Sequence, residues 1–158
     1  MNTNSNSNNH AMNDNNMYTT MIIQMIAIMF VAGGLSTMNV WANSLDDVRI
    51  HINDLYMVVL MIGWSTLLAS LFYLRDTQNY TIPFLSVAVI LIVLYLIRSQ
   101  TFVDDSQFLE GMIPHHSMAI TMSRKIKDKT NNPKIKKLAE DIITAQEQEI
   151  KYMNELLT

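Results

Sequence analysis

The sequence predicts an all-α fold, with three transmembrane helices followed by an antiparallel helical hairpin. Hydrophobic residues make up 49% of the 158 residues and charged residues only 16%, well below the roughly 25% of soluble domains. Only six charged residues lie between Met17 and Ile97, whereas most of the others follow Arg98. A chain divided in this way is an apolar region joined to a polar region, and it is not one soluble core.

Three apolar segments are long enough to cross a bilayer, which takes about 20 residues per helix. They lie at residues 17–42, 55–74 and 80–98. Aromatic residues near the segment ends, including Trp41 and Tyr80, are typical of the membrane–water interface. The first segment has no basic residues before it and is longer than the core of a signal peptide, so we expect it to be retained. The lipid bilayer of an inner or plasma membrane is the expected environment of residues 17–98.

Composition also narrows the range of functions. Residues 1–16 are rich in Asn and Ser and are predicted to be a disordered tail, because they offer little apolar surface to bury. The chain has no cysteine, which excludes disulfides, thiolate metal sites and cysteine nucleophiles. The net charge is −3 and no nucleic-acid-binding motif is present, so no nucleic-acid partner is expected.

The pattern becomes amphipathic after the third segment, and residues 102–158 are predicted to form the helical hairpin. Apolar residues recur there at three- and four-residue steps. They are interrupted by a turn signal at Thr130–Pro133, with proline at a position that favours the first residue of a helix. Antiparallel packing about this turn would bring Met112 level with Met153 and His115 level with Glu149, at the end of the hairpin far from the turn.

Methionine and histidine converge in this hairpin as they would in a soft-metal site. Met112 precedes His115 and His116 by three and four residues, which places all three on one helix face. Thioether sulfur and neutral imidazole suit Cu(I), and Ag(I) by analogy. A histidine ligand needs a partner on its second ring nitrogen, and Gln146 or Glu149 would provide it. The alternative is that the methionines fill the core and the histidines are buried polar residues.

The hairpin also resembles a known family. The stretch Asp105–Met122, which reads DSQFLEGMIPHHSMAITM, and the spaced residues from Ile135 to Met153 resemble the domain-of-unknown-function family 305, over Phe102–Leu157. The resemblance implies a ferritin-like helical architecture, of which one hairpin is half a bundle, and a link to copper through CopM-type periplasmic copper-binding members. The ligands it implies are Met112, His115, His116, Met122 and Met153.

Two features disagree on which side of the membrane the hairpin lies. Basic residues near the membrane, including Arg49 and Arg98, slightly favour a cytoplasmic C-terminus. The periplasmic members of the resembling family imply an extracytoplasmic domain, and we expect that orientation.

Methionines also repeat every four residues in the first two apolar segments. They are Met17, Met21, Met25, Met29, Met57 and Met61. Each four-residue step turns the helix by about 40° relative to the previous one, so the methionines stay on one broad face. They would form a metal path through the membrane. The alternative is helix packing by flexible side chains.

These observations predict a membrane-anchored protein that binds Cu(I) in copper homeostasis or resistance, and not an enzyme. Ferritin-like oxidases use Glu-x-x-His pairs, and the sequence contains none. The alternative is a structural membrane protein that forms a homo-oligomer through the hairpin without metal. His51, which lies near Asp47 and Asp54 in the first connector, is predicted to be a solvated loop residue.

Overall fold

The computed structural model describes the backbone of residues 3–158 and the side chains of residues 17–158. The structure is 84% helical, and its described part contains no strand, which confirms the predicted all-α class. The α-helices are α1 Thr3–Leu35, α2 Ile52–Phe72, α3 Leu74–Thr77, α4 Thr81–Ser99, α5 Asp105–Lys129 and α6 Pro133–Leu156. Two short 3₁₀ helices, Met38–Trp41 and Leu45–Asp47, lie between α1 and α2.

Three stretches of helix are long and apolar enough to cross a membrane, as predicted. They are Met17–Trp41, Ile52–Phe72 and Thr81–Ser99. The second begins slightly earlier than predicted because Asp54 lies in the first turn of α2, where a carboxylate interacts favourably with the helix dipole. The disordered tail predicted at residues 1–16 falls on residues whose side chains lie outside the described part, and it stays a prediction.

The described chain forms two compact units. The first contains the apolar helices and consists of the described residues up to Gly34 together with Tyr56–Ser99. Glycines allow close approach between helices in this unit. A Cβ atom on Gly33 would lie 2.6 Å from the Cε atom of Met61, and one on Gly63 would lie 2.9 Å from Cγ1 of Ile90. Larger side chains at these glycines would push the neighbouring helix away.

Two buried serines in the apolar unit bond to their own helix. Ser70 donates to the carbonyl of Leu67 at 2.8 Å, and Ser86 donates to the carbonyl of Ile82 at 2.9 Å. A polar group satisfied in this way needs no partner on another helix, which suits an apolar environment.

The second unit combines the connector Leu35–Leu55 with Gln100–Thr158. Here α5 and α6 pack around one buried cluster. Its members are Ile113, Ile120, Ile150 and Met153. The side chain of Asn132 accepts a hydrogen bond from the Lys134 N–H at 3.0 Å, and Pro133 is the first residue of α6, as its position in the turn signal predicts.

The connector is also bound to α5, which was not predicted. Ser117 is fully buried; its hydroxyl donates to Oδ2 of Asp47 at 2.6 Å and accepts from the N–H of Asn43 at 2.7 Å. Nearer the start of α5, the N–H of Ile52 donates to Oε1 of Gln107 at 2.7 Å. The connector therefore packs on α5, and its Arg49 also donates to Oδ1 of Asn154 on α6 at 3.2 Å.

Candidate metal site

Two pairs of side chains, one helical turn apart, form the centre of the candidate site. Nδ1 of His116 on α5 lies 2.9 Å from Oε2 of Glu149 on α6. Four residues away on each helix, Met112 packs against the buried cluster that contains Met153. Positions four residues apart share a helix face, so the methionines and the His116–Glu149 pair are neighbours.

His116 is shielded and Glu149 is not, since 14% and 53% of their side chains are exposed. Nδ1 lies within hydrogen-bonding distance of the carboxylate, but the two groups are not well aligned. Burial lowers the pKa of His116 below its ordinary value; the charge of Glu149 opposes this effect, and His115 adds to it. The net result favours the neutral imidazole, which is the form that binds metals.

Both residues predicted to support the ligands meet at this histidine. Nε2 of Gln146 donates to Oε2 of Glu149 at 3.1 Å, which restrains the carboxylate that faces His116. With Nδ1 directed at Glu149, Nε2 is the ring nitrogen that remains for a ligand. The predicted pairing of Glu149 with His115 is wrong by one residue, because α5 turns the following histidine toward α6.

Two predicted ligands lie outside this arrangement. His115 is exposed, and its ring centroid is 6.1 Å from that of His116. Met122 is 55% exposed and lines a groove beside Trp41. In the described part of the chain no three His, Cys, Asp or Glu side chains are grouped to hold a metal. Of the predicted ligands, Met112, His116 and Met153 therefore lie on adjacent turns of α5 and α6.

The membrane methionines are distributed between exposed and partly buried positions. Met17, Met21 and Met57 are exposed, and Met25, Met29 and Met61 are partly buried. The methyl group of Met61 lies close to Gly33 of α1. This contact is one of helix packing, and the predicted metal path stays a prediction.

The prediction that His51 is a solvated loop residue is wrong. The residue is 4% exposed, and its ring packs on Gly111 of α5, where a Cβ atom would lie 3.3 Å from Nδ1. Its Nε2 atom lies 3.4 Å from Oδ2 of Asp54. Neither ring nitrogen has a hydrogen-bond partner in the described structure. The signal in the sequence is Gly111 itself, because a glycine inside an amphipathic helix marks a close approach.

Known proteins resemble the chain in two ways. Residues 95–157 match the domain of unknown function DUF305, which contains the region of the predicted resemblance. The uncharacterized protein L153 of Acanthamoeba polyphaga mimivirus is 49% identical over 144 residues, covering 89% of this chain and 93% of that protein. No solved structure matches the chain. The chain therefore belongs to the family of this mimivirus protein, with a DUF305 domain at its C-terminal end.

Proposed function

We propose that the protein is a membrane-anchored Cu(I)-binding protein of copper homeostasis or resistance, with Met112, His116 and Met153 as ligands. The observation that carries this proposal is the His116–Glu149 pair beside the two methionines. A carboxylate on one ring nitrogen orients the imidazole and raises the basicity of the other nitrogen. Thioethers select soft ions, so the same donor set would accept Ag(I).

The exposed surface of the apolar helices supports the membrane anchor. Phe72, Phe84 and Tyr95 are 81%, 74% and 69% exposed. A continuous apolar surface of this kind is unfavourable in water, whereas a helix with its backbone bonds satisfied is stable in hydrocarbon. We therefore place these helices in an inner or plasma membrane.

The contacts between the connector and α5 support an even number of membrane crossings in the chain segment that joins them. Asn43 and Asp47 bond to Ser117, so both segments lie on the same side of the bilayer. Between them the chain passes through α2 and α4, and two crossings return it to the side it left. Both helices cross or neither does, and their hydropathy favours crossing by both.

We further propose that α5 and α6 form an antiparallel hairpin, half of a ferritin-like bundle, on the extracytoplasmic side. Its direction is supported by two contacts: His116 meets Glu149 at 2.9 Å, and Arg124, further along α5, meets the earlier residue Glu147 at 2.7 Å. The extracytoplasmic position follows the resemblance to CopM-type proteins.

A competition titration of the full chain in detergent, against a Cu(I) chelator, tests the metal site. We expect one Cu(I) per chain. Glu149→Gln should weaken binding by about 10- to 100-fold, as loss of a group that orients a ligand does, and His116→Ala should weaken it further. His115→Ala is the matched control, because this neighbouring histidine is exposed and should matter less than Glu149. Absence of bound Cu(I), or an affinity unchanged by His116→Ala, would contradict the proposal.

Exposed apolar side chains on α6 support a second candidate function, which is assembly of the hairpin without metal. Several large apolar side chains on this helix are exposed. They are Ile135 at 41%, Leu138 at 58%, Tyr152 at 61% and Leu156 at 55%. Their spacing forms a helical stripe, and a second copy of the hairpin would complete a four-helix bundle.

The mass of the protein in detergent, with and without Cu(I), separates the two functions. Assembly would be favoured if the protein binds no copper and forms a dimer without it. The double variant Leu138→Lys, Tyr152→Lys should then abolish the dimer. A monomer that binds Cu(I) would favour the metal site.

A further inference from the structure

A groove on the second unit combines apolar and basic side chains. It is lined by Trp41, Thr121, Met122, Lys125, Ile126 and Lys129. Trp41, Met122 and Ile126 are 57%, 55% and 43% exposed, so the apolar floor is open. Lys125 and Lys129 form no ion pair with any carboxylate in the described part of the chain. The proposed Cu(I) site uses none of these residues.

The groove lies at the most basic part of the chain. From Arg124 to Lys137 the sequence holds seven basic residues and one acidic residue, Asp128, in a chain of net charge −3. Two of the seven are neutralised, since Arg124 contacts Glu147 at 2.7 Å and Lys137 contacts Asp141 at 3.1 Å. The other basic residues are lysines, and they concentrate positive charge around the turn between α5 and α6.

Trp41 connects this groove in sequence to the first apolar stretch. Trp41 is the last residue of the apolar stretch Met17–Trp41, and tryptophan at the end of a span belongs to the membrane–water interface. The same ring lines the groove with Lys125 and Lys129. An apolar floor at the depth of the acyl chains, with ammonium groups at the headgroups, matches both layers of that interface.

We infer that this groove docks onto anionic lipid headgroups, with Lys125 and Lys129 at the phosphates and Trp41 and Met122 against the acyl chains. The inference rests on the membrane anchor of the proposed function, and it is independent of copper. Anionic headgroups attract lysine clusters that lie next to a span, on whichever side of the membrane the hairpin lies. A soluble polyanion would match the lysines but would leave the exposed tryptophan and methionine in water.

Nitroxide labels on the full chain in lipid nanodiscs test the docking. The chain has no cysteine, so Ile126→Cys in the groove and Gln148→Cys on α6 each give one label. We expect accessibility to a water-soluble nickel reagent at position 126 to fall by about half or more when phosphatidylglycerol is added to phosphatidylcholine discs, because the lysines respond to anionic charge. Position 148, which is exposed and far along α6 from the turn, should not change.

Charge reversal provides the matched pair of variants. Lys125→Glu with Lys129→Glu should abolish the protection at position 126, whereas Lys151→Glu, on an exposed part of α6, should preserve it. Equal accessibility at position 126 in both kinds of disc would overturn the docking. It would not overturn the membrane anchor, because the anchor is tested separately by co-elution of the protein with lipid. A chain that does not co-elute with lipid would overturn both. Protection by added RNA, without protection by anionic lipid, would overturn the lipid docking in favour of a polyanion site.

Discussion

Buried serines form their hydrogen bonds in different ways in the two compact units. In the apolar unit, Ser70 and Ser86 donate to carbonyls of their own helices. In the second unit, Ser117 bonds to residues 70 and 74 positions away in the chain. The apolar helices therefore depend on composition and close approach, whereas the second unit depends on particular partners that meet only when the chain is folded.

Among the substitutions that test this difference between the units, the largest effect on stability is expected in the core of the second unit. Ile113 is fully buried between α5 and α6, so Ile113→Ala should lower the free energy of unfolding of this unit by about 2–5 kcal/mol. Thermal unfolding of the full chain in detergent, followed by near-ultraviolet circular dichroism, measures the loss. Ile126→Ala is the control on the same helix, because Ile126 is 43% exposed; equal losses in the two variants would show that α5 and α6 do not share a core.

A matched pair of serine substitutions sharpens the contrast directly. Ser117→Ala removes the partner of Asp47 and of the Asn43 N–H. It should cost about 0.5–1.5 kcal/mol, because Asp47 is only partly buried and Asn43 is exposed, so that water can replace part of each bond. Ser86→Ala should cost less, since the Ile82 carbonyl keeps its helical hydrogen bond. Hydrogen exchange at Asn43 should accelerate in the first variant and not in the second. An unchanged exchange rate in Ser117→Ala would mean that the connector is held by its other contacts.

The smallest effect concerns the protonation of His116. Burial lowers its pKa, and Glu149 partly offsets this effect, so Glu149→Gln should lower the pKa further and His115→Ala should raise it. The folded state binds this proton more weakly than the unfolded state. Stability is therefore fully present above the ordinary pKa of histidine and is lost as the pH falls from there through the lowered value.

Titration of the histidine ring signals by NMR measures these shifts, and unfolding at several pH values measures the stability. A His116 signal that titrates at or above the ordinary value would contradict the burial of its ring.

The parts of the structure that arise from local signals could be predicted from the sequence. The apolar stretches follow from hydropathy, and Pro133 begins α6 because its ring suits the first turn. The choice of His116 over His115 depends on a one-residue register between two helices, which periodicity alone does not resolve. The burial of His51 depends on its packing against Gly111, on a segment distant in sequence.

The hydrogen bond between Asp47 and Ser117 also has a consequence for biogenesis. The two residues are 70 positions apart, which corresponds to about 4–14 s of synthesis at typical rates of chain growth. During that interval the connector has no partner while α2 and α4 are made. The second unit can thus assemble only after α5 has been made and, in the proposed membrane topology, only if α5 reaches the same side of the membrane as the connector.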